Sequence, residues 1–332
     1  MRQFSIGVDL GGTNLRAAAY SPETGLRFKR SMQTRLDLGP TVVAENLCSL
    51  ISEVLLQESS AAALLGICVG APGPLELPTG RFHAPPNLPG WGGFNLRDAI
   101  KLEFDVPVTL ENDANLAALA ECHLGSGKEL GLDELCMITL GTGVGTGIIA
   151  EGKIFHGLNG LAGEAGHASV WPDGELCACG NQGCLELYAS ATGILRRATA
   201  LAVTGNASGL EKLFAAGSEV TTSDLYTLAM GGDRDAESIF AQAGQAIGMS
   251  LATLVNILNP SLIAVAGGVS NAWPLLWPSM EKELLSRSFI YRLTQAGSSF
   301  QRHVVIRQAM LGDGAGLAGA ALLPFINAVH SS

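Results

Sequence analysis

The chain has 332 residues, enough for two domains of ordinary size with a core each. Hydrophobic residues make up 47% and charged residues 15%, which is the composition of a compact α/β protein and not of a disordered chain. A net charge of −10 with no Lys/Arg cluster argues against nucleic acid or an anionic membrane surface as the main partner.

The N-terminal run MRQFSIGVDLGG enters a strand pattern at once, with no apolar core followed by a small-residue cleavage site, so a cytoplasmic location is expected. The first third alternates strand and helix signals. SIGVDLGG and LRAAAYS read as strands, Thr41 to Ser59 as a helix, and LLGICVGAPG as a buried strand. A Pro/Gly-rich loop (Ala84 to Gly93), a short helix near Leu96 to Phe104 and the strand VPVTLEND complete an α/β domain. The apolar helix ANLAALAECHLG then leads to a strand pair, LCMITLGTGVGTGIIAEGKIF. Its glycine turn resembles the earlier one in VDLGGTNLRAAA, which points to an internal duplication of a strand, Gly turn, strand unit.

Further on, a helix is expected from Leu187 to Ala202, followed by a surface excursion, TGNASGLEKLFAAGSEVTTSD. A long helix from Ala236 to Leu258 ends at the stop signal Asn259-Pro260, the strand LIAVAGGV follows, and GDGAGLAGAALLPFINAV closes the chain as a Gly turn opening a small-residue helix. The long uncharged stretch from Ser238 to Met280 does not make a membrane span. Gln242, Gln245, Asn256, Asn259, Pro260 and Asn271 interrupt it, and it reads as a buried helix and a buried strand.

Asp9-Leu-Gly-Gly-Thr13 sits between two strands, where glycines let several N–H groups converge on a phosphate and the Thr13 hydroxyl adds a donor. No Lys follows in a GK[ST] arrangement, so this is not a P-loop. Asp9 at the strand end is placed to hold a hydrated Mg²⁺. Gly141-Thr142-Gly143 offers a second turn of the same kind, and Gly267-Gly268 would let an adenosine lie flat on backbone. Gly314 to Gly319 formally matches G-x-G-x-x-G but lacks a following strand, so close packing of a helix N-terminus is expected there. In Glu111-Asn112-Asp113, Asp113 stands both where a helix N-cap is expected and where a general base would accept a hydroxyl proton. Asn112 offers a donor and an acceptor to a polyol, and Asn87 and the turn Gly70-Ala-Pro-Gly73 are candidates for the opposite wall of a substrate site.

The stretch GHASVWPDGELCACGNQGCLE places His167, Cys177, Cys179 and Cys184 at metal-ligand spacing, which suits a closed tetrahedral zinc site that fastens loops. Glu164 and His167 would share a face if that segment is helical, and one ring nitrogen of His167 can bind metal while the other donates to a ligand oxygen. With Glu186 two residues beyond Cys184, two carboxylates and an imidazole away from any basic residue suit a neutral polyhydroxy substrate. Cys48, Cys68, Cys122 and Cys136 read as small buried hydrophobes.

Taken in order, DLGGT, GAPG, END, LGTG, EAGH and CACGNQGCLE resemble the ROK family of bacterial sugar kinases and repressors over nearly the whole chain. The resemblance implies the duplicated actin-like ATPase (ribonuclease H-like) α/β fold, two domains with a cleft between them. The small domain would take residues 1–115 and about 318–332, and the large one 116–317 with its zinc-binding loop at 167–184. It implies Asp113 as the base for the sugar 6-hydroxyl, with Gly73, Asn87, Asn112, Asp113, Glu164, His167 and Glu186 around the sugar. Asp9, Gly11, Gly12, Thr13, Asn14, Gly141, Thr142, Gly143, Gly267 and Gly268 would face the nucleotide. The activity implied is ATP-dependent phosphorylation of glucose, with ATP, Mg²⁺ and structural Zn²⁺, by a homodimer or homotetramer. A kinase for mannose, fructose, N-acetylglucosamine or N-acetylmannosamine is the alternative within the family. A sugar-sensing repressor is disfavoured, because no helix-turn-helix fits before the first Gly turn.

Overall fold

The computed structural model describes residues 2–330 apart from 59–61, 84, 86, 206–207, 218 and 296. The chain opens with β1 (Arg2–Leu10), β2 (Asn14–Ser21) and β3 (Gly25–Gln33), then α1 (Gly39–Leu55) and β4 (Ala62–Ala71). A two-residue pair, β5 (Leu75–Glu76) and β6 (Arg81–Phe82), precedes α2 (Leu96–Lys101), β7 (Val108–Asn112), α3 (Asp113–His123) and α4 (Ser126–Leu130). β8 (Leu135–Leu140), β9 (Val144–Ala150) and β10 (Lys153–Ile154) follow. Next come α5 (Glu186–Ala189), α6 (Ala191–Val203), α7 (Ser208–Ala215), α8 (Thr222–Met230) and α9 (Arg234–Leu258). The chain closes with β11 (Leu262–Ala266), α10 (Trp273–Arg287), α11 (Phe289–Leu293), β12 (Val305–Gln308) and α12 (Ala315–His330).

The duplication is visible in the sheets. One has the order β3-β2-β1-β4-β7 and the other β10-β9-β8-β11-β12. In the first, β1 pairs antiparallel with β2, and β4 pairs parallel with both β1 and β7. In the second, β11 likewise pairs parallel with both β8 and β12. Each sheet is thus a meander extended by two parallel strands, as a duplicated α/β fold requires.

The chain forms two compact units: Met1–Glu134 with Gly147–Ala162 and Met310–Ser332, and Leu135–Thr146 with Gly163–Ala309. Their extents differ from the division at 115 and 317 drawn from sequence. α3 packs on α12 so closely that a Cβ at Gly319 would strike the Leu116 carbonyl, and Gly147 lies against Ala114 and Ala118. Those contacts keep α3, residues 147–162 and the start of α12 in the first unit. Within the Gly314 to Gly319 run, Gly319 is therefore the helix-packing glycine, whereas a Cβ at Gly314 would meet nothing within 4 Å.

Within the first unit, α1 buries Val43, Leu47, Leu50, Ile51 and Val54, the helical stripe that covers the sheet. It ends at Leu55, short of the expected Ser59, which lies outside the described residues. The Pro/Gly-rich loop from 84 to 93, of which Ala84 and Pro86 lie outside the described residues, exposes Asn87 and its glycines but sends two side chains into the core. Leu88 and Trp91 are fully buried, and Trp91 meets Phe82 and Phe94 edge to face at 5.2 and 5.4 Å.

In the second unit, the helix expected from Leu187 to Ala202 is broken at Ser190. Its backbone is extended, and its hydroxyl caps α6 by accepting from the Gly193 N–H at 3.0 Å. The expected surface excursion at 204–224 contains α7, with Leu210 buried, and the Thr221–Asp224 capping box that opens α8; residues 206, 207 and 218 lie outside the described set. α9 starts at its cap, Asp233, and stops at Asn259 in the left-handed region, matching the predicted stop. Among the described residues, three helices are long and apolar enough to cross a membrane by length and composition, and 67% of the α9 stretch is buried in the protein. Gly244 and Gly248 let α10 approach its backbone.

Candidate active site

In the first unit, β1 delivers Asp9 to the turn Gly11-Gly12-Thr13. The turn closes through Gly11 N–H to the Asn14 carbonyl at 3.0 Å. Asn14 therefore enters through its backbone. Thr34, fully buried, braces the same turn: its hydroxyl donates to the Gly11 carbonyl at 2.6 Å and its N–H to the Thr13 carbonyl at 2.9 Å. Asn87 lies alongside, its carbonyl 4.0 Å from where a Gly12 Cβ would stand. Burial raises the Asp9 pKa to about 6, against the opposing pull of Arg16 and with a further push from Asp113. Arg16 is 3.9 Å from the Asp9 carboxylate and also donates to the Asp313 carbonyl. Gly316, at the start of α12, is close enough that its Cβ would stand 3.9 Å from Asp9 Oδ1 and 4.0 Å from the Asp113 carbonyl.

At the end of β7, the N-cap of α3 is Asn112 and not Asp113. Asn112 has extended backbone, and its Oδ1 accepts from the N–H groups of Ala114 and Asn115 at 2.9 and 3.2 Å. That leaves the Asn112 amide nitrogen as a donor, beside Gly73. Asp113 is the first helical residue, and its Oδ1 accepts from the Ala114 N–H at 2.8 Å. Among the described residues no side-chain donor reaches it. Asp113 is open to solvent, yet the protein crowded around it raises its pKa, and the backbone N–H groups only partly offset this.

Sequence reasoning missed the residue that holds this junction. Glu111 is buried, with Oε1 accepting from the Asn112 N–H at 2.8 Å and from Asn115 Nδ2 at 2.9 Å, while Oε2 meets His156 Nε2 at 2.7 Å. The bond to Glu111 raises the His156 pKa, against partial burial.

In the second unit, the turn Gly141-Thr142-Gly143 closes through Gly141 N–H to the Gly143 carbonyl at 3.0 Å. The start of α6 clamps it, with Ala191 N–H on the Gly141 carbonyl and the Thr192 hydroxyl on the Thr142 carbonyl, both at 2.8 Å. Glu186, opening α5, accepts from the Val144 N–H at 2.9 Å. Gly267, at φ +87°, lies beneath the Leu140 carbonyl, whereas the side of Gly268 is open. Glu164 precedes a 3₁₀ turn, Ala165–His167, whose eclipsed i and i+3 positions put Glu164 and His167 on one side. Gly163 and Gly166 let this turn rest on the carbonyls of Thr146 and Val144.

The four predicted metal ligands converge: one ligand atom from each of His167, Cys177, Cys179 and Cys184 lies within 4.8 Å of the others. Cys179 and Cys184 sulfurs are 3.7 Å apart, and Cys177 Sγ is 3.8 Å from His167 Nδ1. A tetrahedron with Zn–S bonds of about 2.3 Å has edges of about 3.8 Å, so donor set and spacing fit structural zinc. The inward nitrogen is Nδ1, which leaves Nε2 of His167 for another partner. Glycines at 180 and 183 with positive φ turn the loop, and Asn181 ties it by donating to the His167 carbonyl at 2.9 Å.

The chain matches the ROK family over residues 5–325. It belongs to that family. A glucokinase of Halalkalibacterium halodurans is 36% identical over 96% of this chain and 94% of its own length. The crystal structure of a ROK family glucokinase from Streptomyces griseus, in complex with glucose and AMPPNP, superposes with a TM-score of 0.76 at 31% identity, covering 96% of this chain and 98% of that one. ROK repressors are similar too: the xylose repressor of Caldicellulosiruptor bescii is 33% identical over 86% of this chain and 71% of its own length. The doubled sheet order is thus the duplicated actin-like ATPase fold of ROK sugar kinases, and the chain is a sugar kinase of this family.

Proposed function

We propose that this ROK sugar kinase transfers the γ-phosphoryl group of ATP to the 6-hydroxyl of glucose in the cytoplasm, as a homo-oligomer. The observation that carries this reading is Asp113: a carboxylate of raised pKa on the first turn of α3, held by backbone N–H groups and free of side-chain donors among the described residues. Such a group is suited to take a proton from a neutral hydroxyl. In the proposed step the sugar O–H proton passes to Asp113, the oxygen bonds to the γ-phosphorus, and the P–O bond to ADP breaks. Asn112 Nδ2, Asn87 and the Gly73 backbone would orient hydroxyls, as would Glu164, Glu186 and His167 Nε2. Support for glucose and ATP comes from the relatives named glucokinase and from the ligands of the Streptomyces griseus structure.

The N–H groups of the Gly11–Thr13 and Gly141–Gly143 turns would stabilise phosphate charge, with Gly267 and Gly268 beneath the adenosine. Asp9 fits a hydrated Mg²⁺, because a half-buried carboxylate whose paired cation among the described residues stands 3.9 Å away retains capacity for a hard cation. Mg²⁺, when bound, offsets charge on the transferring group. Zinc, when bound, fastens the loop that carries His167.

The test is kcat/KM for glucose, mannose, fructose and the two N-acetylated hexosamines with ATP, on the wild type and on Asp113→Ala. Glucose ranking first, with kcat lost and sugar binding retained in Asp113→Ala, is the expected result. An N-acetylated sugar ranking first would overturn the substrate, and near-normal turnover in Asp113→Ala would overturn the base.

A further inference from the structure

We propose that Glu111 and His156 act as a positioning pair for the catalytic segment Asn112-Asp113, one oxygen of the Glu111 carboxylate orienting the segment while His156 holds the other. This rests on the reading of Asp113 as the base.

The two oxygens of the Glu111 carboxylate are held differently. One oxygen is spent on the segment itself, taking the Asn112 N–H at 2.8 Å and the Asn115 side chain at 2.9 Å. Those two residues bracket Asp113, and Asn115 N–H is also one of the two donors to the Asn112 cap. The carboxylate therefore fixes the peptide before Asp113 and the turn after it. Among the described residues, its other oxygen meets His156 alone, at 2.7 Å. The Glu111 side chain is 3% exposed, and a carboxylate so buried needs a partner. Loss of the His156 charge would leave it without its counter-charge and loosen the grip.

Other charged and titratable groups packed on this place do not replace His156. From β4, Cys68 faces Glu111, but burial and the Glu111 charge push its thiol well above its ordinary range, so it stays neutral. From β1, Asp9 adds negative charge at Asp113, and α3 contributes the uncharged Asn115. Among the described residues, His156 is the cation that pairs with Glu111.

His156 also belongs to the segment that leads to Glu164. Its carbonyl accepts from the Ala162 N–H at 3.1 Å, closing the 156–162 loop just before Gly163 and Glu164. The pair thus pins that loop to the end of β7.

His156→Gln, Glu111→Gln and the wild type separate this role from a merely structural one. In the wild type, kcat for sugar phosphorylation is expected to fall as pH rises through the titration of His156, read independently by NMR of its ring. Glu111→Gln is expected to lower the His156 titration toward 6.5 and to remove that alkaline limb, since an amide needs no counter-charge. His156→Gln is expected to lose roughly tenfold to hundredfold in kcat, with no alkaline limb, the size of loss that a small misplacement of a reacting group produces. Zinc content and circular dichroism should match the wild type in both variants. His156→Gln with unchanged kcat and the same alkaline limb overturns the proposal and leaves the kinase reading intact. If His156→Gln is misfolded, Glu111→Gln decides, and an alkaline limb kept there overturns the proposal. A wild-type chain that phosphorylates no hexose overturns both.

Discussion

The carboxylate of Glu186 accepts a hydrogen bond from the backbone N–H of Val144 at 2.9 Å, across 42 positions of sequence. The same oxygen is so close to Gly143 that a Cβ there would stand 2.5 Å from it. A residue singled out for sugar binding thus also holds the end of a proposed phosphate turn. Glu186→Ala should raise KM for both glucose and ATP, each roughly tenfold or more, the worth of a hydrogen bond to a charged group. Glu186→Gln retains an acceptor for Val144 and should spare KM for ATP while raising KM for glucose. Steady-state kinetics in both substrates checks the pair.

Zinc removal should act on the same residues through the loop. Cys179→Ser is expected to lose the metal and to raise KM for glucose, because His167 is one of the four ligands and Glu186 lies two residues beyond Cys184. Metal analysis alongside kinetics measures it. A zinc-free variant with a wild-type sugar KM would break the link between cluster and substrate.

Asp9 should trade stability for function. Its pKa rises from 3.8 to about 6 on folding in the free protein, so the folded state binds more protons than the unfolded one between those values. Stability is therefore lost as pH rises from about 4 through 6, by up to roughly 3 kcal/mol from this group. Asp9→Asn should raise the Tm at pH 7 by removing that cost, leave the Tm near pH 4 little changed, and lose most activity. Thermal melts across pH, paired with kcat, test the sign.

Gly319→Ala should destabilise the first unit. Its Cβ would strike the Leu116 carbonyl where α12 crosses α3, and overpacking of this kind typically costs about 1–3 kcal/mol. Chemical denaturation should show a lower midpoint.

What the sequence disclosed follows from the kind of signal each feature leaves. The Gly turns and the Cys/His cluster were legible because their geometry restricts residue type: glycine where backbone must approach, cysteine where a sulfur ligand is needed. Glu111 and His156 were not, since they lie 45 positions apart and a lone histidine in a loop has no periodicity to mark it. Asn112 and Asp113 are both good capping residues, and only the extended backbone of Asn112 decides between them. The break at Ser190 was hidden because the apolar pattern of 187–202 runs through it, and Trp91 because a Pro/Gly-rich loop is not expected to fill a core.

The two sheets share one strand order, so the chain carries the same β-turn-β cradle twice. The copies differ in what they present at the rim. Where β1 has Asp9 two residues before Gly11, β8 has Thr139 two residues before Gly141. Backbone donors were inherited in duplicate while the acid is carried by one copy, so the halves are alike as scaffolds and unlike as chemistry. A chimera that exchanged Asp9 with Thr139 would keep both hydrogen-bonding turns and move this carboxylate from the first sheet to the second.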